Sequence, residues 1–201
     1  MTYNEIFAEV MSFFKRPDKA DDVKAKIKEA IHRAHTTDRF MKDAVEAVTD
    51  ALVCGGVRSS YGIVTSSFAN FRDAVSIQLY DETSGTAGAE LPLSDTVEAS
   101  MDSYGVKRIP SVMQIGDVIQ VALGDTPGSV RRFVFCYLAY PTLTDPIPES
   151  WIMRNYPYLI IHDALARLYR TTGNAERAGA SAQDAQDQRM ILVQNNLVFG
   201  R

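Results

Sequence analysis

At 201 residues the chain is long enough for one substantial core, or for one core carrying a modest subdomain. Its 46% apolar and 23% charged residues are ordinary for a globular protein, and a net charge of -4 argues against gripping nucleic acid by phosphate neutralisation. No stretch approaches the ~20 apolar residues of a membrane span, and acidic Glu5 and Glu9 stand where a signal peptide needs a basic patch and an apolar core. The expectation is a protein made in a cytoplasm, with no membrane partner.

Residues 2–14 read as a short helix with Ile6, Phe7, Val10, Met11 and Phe14 inward, stopped by Pro17, with Asp18 beginning the next turn. Residues 20–36 read as a second helix with Val23, Ile27, Ala30, Ile31 and Ala34 along one stripe. On that helix Lys24, Lys26 and Lys28 alternate with Asp21, Asp22 and Glu29, the pattern of a solvated face. Both helices are too short to be stable alone and need a partner surface.

From there the period changes. Residues 41–53 carry mixed signals: Ala and Glu favour helix, Val45 and Val48 allow strand, and strand is the expectation. Val75-Ser76-Ile77-Gln78-Leu79 alternates as a half-buried strand does. Thr83 to Glu90 (TSGTAGAE) reads as a flexible loop, and a short helix from Ser94 would put Val97 and Met101 on one side. Gly116-Asp117 separates Val112–Ile115 from Val118–Leu123 as a tight hairpin. A Gly124–Gly128 loop leads into Val130–Tyr140, apolar on both faces and therefore expected to be covered on two sides. Pro141, Pro146 and Pro148 mark the return to helix.

Trp151 to Asn196 reads as two helices folded back on each other around Thr172-Gly173. Tyr158, Ile161, Leu165 and Leu168 recur at steps of three and four and share a face, with Asp163 and Arg167 paired on the polar side. Gly173 suits a left-handed helix end, and Asn174 can cap the next helix. Ala175, Ala178, Ala182 and Ala185 form a stripe of small side chains that lets a neighbour come close. The order helix, helix, strands, helix, helix implies an α+β fold, with a bundle built from both chain ends around a central β insertion. The expected divisions are bundle helices at 1–40, a β-rich insertion at 41–146, a helical hairpin at 147–194, and a tail at 195–201.

Chemistry is hard to find. His32 and His35 are three apart and could share a face as metal ligands do, yet Arg33 and Ala34 lie between them and no Cys follows. The reading is two exposed polar residues near a helix end. His162 and Asp163 are adjacent and point ~100° apart, poor geometry for a base and its orienting partner. No Gly-x-Ser-x-Gly elbow is present; Gly55-Gly56 lacks the following Lys-Ser/Thr of a phosphate loop, and Gly85-x-x-Gly88 lacks the strand-to-helix context of a dinucleotide site. Asp81-Glu82 and Asp21-Asp22 are explained by capping. Cys54 and Cys136 read as free thiols, with Cys136 the buried one. No catalytic, metal or cofactor site is expected.

What stands out is apolar surface without a ligand motif. After Asn195-Asn196 the chain ends Leu197-Val198-Phe199-Gly200-Arg201, where a free tail would normally be polar. Such an end docks either on its own core or on another protein.

The helix PYLIIHDALARLYRTTG followed by NAERAGASAQDA resembles the head-to-tail adaptor (connector) proteins of tailed bacteriophages. So do the opening YNEIFAEVMSFFKRPDKADDVKAKIKEAIHRAHTTDRFMKDAVE and the middle stretch MQIGDVIQVALGDTPGSVRRFVFCYLAYPTLTD. The resemblance implies a structural virion protein at the head-tail junction, not an enzyme. It implies a ring, a dodecamer, joining the portal protein to tail or neck proteins, with genomic DNA passing through a central channel without specific binding. It also implies that Asn195 to Arg201 extend and engage the portal. A helical peptide-binding module is the alternative and would need repeats, of which one hairpin is visible; an uncharacterised enzyme is the third reading.

Overall fold

A computed structural model describes residues 1–55, 60–91, 111–143 and 150–198. The expected helix from Ser94, the prolines Pro146 and Pro148, and Phe199, Gly200 and Arg201 lie outside the described residues. The chain combines α-helices with antiparallel sheets and is α+β. It divides into two compact units, one of residues 1–43 with 140–201 and one of residues 44–139.

The first unit is helical. Helix α1 (Tyr3–Phe14) opens on a capping box in which Thr2 accepts from the Glu5 amide and Glu5 reaches back to the Thr2 amide. It ends at Lys15, held left-handed at φ 53°, so the helix stops before Pro17 can act. Helix α2 (Ala20–Thr36) follows with no side-chain cap. After the second unit come α3 (Trp151–Asn155), α4 (Pro157–Thr171) and α5 (Ala175–Gln194). Helix α4 packs against α1, α2 and α5, and so lies at the centre.

The core of this unit matches the helical periodicities closely. Ile6, Val10 and Phe14 of α1 are buried, with Phe7 and Met11 packed at the margin. Val23, Ile27, Ala30 and Ile31 of α2 meet Ile160, Ile161, Ala164, Leu165 and Leu168 of α4 in the same cluster. Burying each large aliphatic side chain contributes about 1.5–3 kcal/mol, which is why α1 and α2 persist only when packed. One member of the expected α4 face departs: Tyr158 is 52% exposed. It lies in the first turn of α4, and its ring lies near His162. Gly173 takes φ 75° and Asn174 accepts from the Arg177 amide, as helix end and cap require. Ala178 and Ala185 of α5 are buried, whereas Ala175, at its start, is exposed.

The second unit holds β1 (Ala44–Val48), β2 (Leu52–Val53), β3 (Ser60–Val64), β4 (Phe71–Asp81), β5 (Thr86–Leu91), β6 (Ser111–Ile115), β7 (Val118–Ala122), β8 (Val130–Arg131) and β9 (Phe133–Ala139). Its sheets order as β1-β9-β4-β5, β3-β7-β6 and β2-β8, all antiparallel. Strand β9 is an inner strand of the four-stranded sheet, between β1 and β4; it buries Phe133, Phe135, Tyr137 and Leu138, while Val134, Cys136 and Ala139 are half-buried. Phe68 and Phe71 pack on Phe135 and Tyr137, and Tyr61 meets Phe133 edge to face. Gly116-Asp117 closes the β6–β7 hairpin with Ile115 opposite Val118, and Gly116 at φ 62° supplies the left-handed turn residue.

Two expectations change here. The stretch from Thr83 to Glu90 is not simply a loop, because Thr86–Leu91 forms the edge strand β5 beside β4. The turn before it is built by the Asp81 carboxylate, which accepts from the Thr83 amide and the Ser84 hydroxyl. Small and polar residues hid this strand because its side chains are exposed up to Leu91, leaving no apolar period to read. The buried thiol is Cys54, not Cys136: Cys54 sits beneath the Gly124–Gly128 loop and its Sγ donates to the Asp125 carbonyl. Both cysteines are free.

Candidate functional site

The end of α5 and the segment after it carry several exposed apolar side chains. Leu192 is buried, but Met190, Ile191 and Val193 around it are exposed. Asn195 ends the helix in a helical conformation. Asn196 turns inward: its Nδ2 donates to Tyr156 Oη at 2.9 Å and to the Leu192 carbonyl at 2.7 Å. The next two residues run antiparallel to the end of the α2 connection, with Val198 bridging Phe40 and the Met41 amide donating to the Leu197 carbonyl at 3.1 Å. The backbone is thus fastened while Leu197 stays 75% exposed and Val198 37%.

Of the expected tail residues, Asn195 and Asn196 complete the helix end, and Leu197 and Val198 face outward. Contiguous exposed apolar side chains rimmed by polar ones are the usual mark of a protein-binding surface. Amide pairing to Phe40 and Met41 orders the tip without covering it.

The sequence reading missed a second feature. His35 is not an exposed residue near a helix end; it is 2% exposed, and its Nδ1 lies 2.8 Å from Asp43 Oδ1 and its Nε2 2.8 Å from Ser150 Oγ. By distance alone this is the acid–histidine–serine arrangement of a hydrolase. The surroundings give it other work. Ser150 is itself buried and caps α3, accepting from the Met153 amide at 3.1 Å. Asp43 Oδ1 also accepts from Trp151 Nε1 at 2.7 Å, and the Trp151 ring stands edge-on to both His35 and Phe40. A nucleophile needs an open approach and a donor pair for the oxyanion, whereas this hydroxyl is enclosed and already engaged. The group ties the last turn of α2, the turn at Met41–Asp43 and the start of α3 into one knot. The signal was present in the spacing, since His35 continues the Ile27–Ile31 stripe by four residues.

His32, by contrast, is exposed and stacks on Tyr140 at 5.0 Å. Among the described residues no group of three His, Cys, Asp or Glu could hold a metal ion, and no helix is long and apolar enough to cross a membrane.

The chain as a whole matches one family model, described as SU10 adaptor protein, over residues 1–197. No curated protein matches it.

Proposed function

Because the chain belongs to the SU10 adaptor protein family, a family of phage head-to-tail adaptors, we propose that it assembles as a ring joining the capsid portal to the tail or neck. It is a virion component by that membership, and its contacts are with other virion proteins. The finer reading is a ring of twelve copies with identical, head-to-tail contacts that close on themselves. In it the helices from both chain ends form the body, the β insertion of residues 41–146 offers loops to neighbours, and Asn195 to Arg201 engage the portal. The work is binding, with no catalytic step, cofactor or metal.

The observation that carries this reading is the apolar tip. Leu197 and Val198 are held by main-chain hydrogen bonds and exposed by their side chains, the state of a contact awaiting its partner. The charge supports the channel role: carboxylates lining a lumen would repel phosphates and let DNA slide.

The deciding experiment mixes purified portal with this chain and with a Leu197→Asp variant. Imaging should find rings capping the portal with the parent chain only, while the variant melts at the parent temperature. Portal capping by Leu197→Asp at parental levels would remove the tip from the interface. Tight DNA binding by the isolated chain at low salt would contradict the sliding channel.

A further inference from the structure

Helices α2, α4 and α5 enclose a cleft of about 350 Å³ in the helical unit. Its floor is made of methyl groups, with Ala30, Ala166 and Ala185 buried and Leu159 beside them. Its walls are guanidinium groups: Arg33 from α2, Arg167 and Arg170 from α4, Arg189 from α5. Among the described residues Asp163 is the one carboxylate lining it, in a chain whose overall balance is negative.

The pairing inside the cleft leaves a positive surplus. Asp163 is shared, accepting from Arg33 Nη1 at 3.1 Å and from Arg167 Nε at 3.3 Å. Arg167 also pairs with Glu29, and Arg189 takes Asp38 through both ends of its fork. The Arg170 guanidinium is exposed and makes no side-chain hydrogen bond among the described residues; it acts by charge on Asp163 and Arg167. Burial lifts the Asp163 carboxyl above the usual carboxylate range despite Arg33 and Arg170, and burial, with Arg170 adding to it, lowers the Arg167 guanidinium. Burial is the larger effect on both partners, and Arg170 acts on each as a neighbouring positive charge.

Guanidinium forks bind carboxylates through paired, directional hydrogen bonds, and a methyl floor rewards small apolar side chains. We propose that this cleft is a docking site for a short acidic peptide segment of a neighbouring virion protein, whose carboxylates meet Arg170, Arg33 and Arg189 and whose apolar side chains rest on the alanine floor. A nucleic-acid backbone fits less well. The cleft admits a few side chains and no duplex, and its methyl floor offers a phosphate nothing. This surface is independent of the tip at Leu197.

The test titrates the isotope-labelled full chain with a short peptide alternating glutamate and alanine, following the arginine side-chain N–H signals by NMR. Saturable shifts confined to Arg33, Arg167, Arg170 and Arg189, and absent with a glutamine–alanine peptide, are expected. Arg170→Glu should weaken binding roughly tenfold or more. Arg177→Glu makes the same charge change on α5, beside Tyr169 and outside the cleft, and should alter binding by less than about twofold. Matched melting temperatures for both variants establish that the fold is intact. No saturable shift, or equal shifts at Arg72 and Arg177, would overturn the proposal. So would equal displacement by inorganic phosphate, the mark of a general anion site, or shifts at lower concentration with a DNA duplex, the mark of a nucleic-acid surface.

Discussion

His35 and Asp43, eight residues apart in sequence, meet at 2.8 Å in the interior of the helical unit. The carboxylate there serves two donors through a single oxygen, the imidazole and the Trp151 indole, while its other oxygen is buried with no hydrogen-bond partner among the described residues. A charged group placed that way tolerates the loss of neither donor, because an unsatisfied buried acceptor carries its full desolvation cost. His35→Ala is expected to lower the unfolding free energy by about 2–4 kcal/mol. Ser150→Ala, which removes a helix cap and one further hydrogen bond, should cost about 1–2 kcal/mol. Chemical denaturation of both variants checks the order; a larger loss for Ser150→Ala would mean that the histidine is not the centre of the knot.

Stability and docking should separate at the tail. Phe40 is fully buried, so Phe40→Ala is expected to cost about 3–5 kcal/mol. Leu197 is largely exposed, so Leu197→Asp should stay within about 0.5 kcal/mol of the parent. Removing Leu197 to Arg201 altogether takes away the acceptor of the Met41 amide and should cost about 0.5–1.5 kcal/mol. Thermal melts of the three proteins distinguish these sizes; a destabilisation by Leu197→Asp as large as that of Phe40→Ala would mean the tip is core.

The β unit should respond to pH at both extremes through Tyr61 and Asp125, whose hydroxyl and carboxylate lie 2.6 Å apart. Burial, with the Asp125 bond adding to it, pushes the Tyr61 phenol up to about 12. A raised value means the contribution is complete below the unfolded value of about 10 and disappears as pH climbs to about 12, a loss of about 2–3 kcal/mol. The Tyr61 hydrogen bond, with Arg131 beside it, holds the Asp125 carboxyl below the usual range. A lowered value means its contribution is present above the unfolded value of about 3.9 and is lost as pH falls below it. Tyr61→Phe should cost about 1–2 kcal/mol at neutral pH and flatten the alkaline loss. Denaturation midpoints across pH measure both limbs, and an unchanged alkaline limb in Tyr61→Phe would assign that loss to another group.

At the β6–β7 hairpin, Gly116 has φ 62° and open space where a Cβ would stand. The cost of substitution there is therefore conformational and not steric crowding. Gly116→Val should destabilise by about 1–2 kcal/mol, and Gly116→Asn by about half as much or less, because asparagine visits the left-handed region readily. Equal effects of the two in denaturation would show that the turn is not what sets the register.

The sequence alone determined the elements whose signal is local. Ala20–Thr36 follows from a stripe at steps of three and four, the β6–β7 hairpin from Gly116-Asp117 between Val112–Ile115 and Val118–Leu123, and the α4–α5 turn from Gly173 and Asn174. Each rests on neighbours within one or two turns of chain, so periodicity and backbone preference are enough. The order of helices and strands was legible for the same reason. Tertiary structure decided whatever depends on residues far apart. The stripe through Ile27 and Ile31 could have placed His35 inside, but what it meets there was hidden, because Ser150 stands 115 positions away. Strand β5 had no period to show, since an edge strand with one apolar end is specified by the β4 amides beside it. The arginine cleft was equally hidden, because Arg33, Arg170 and Arg189 share one concavity only after three helices pack. Burial and charge surplus are properties of that assembled space, and no stretch of chain contains them by itself.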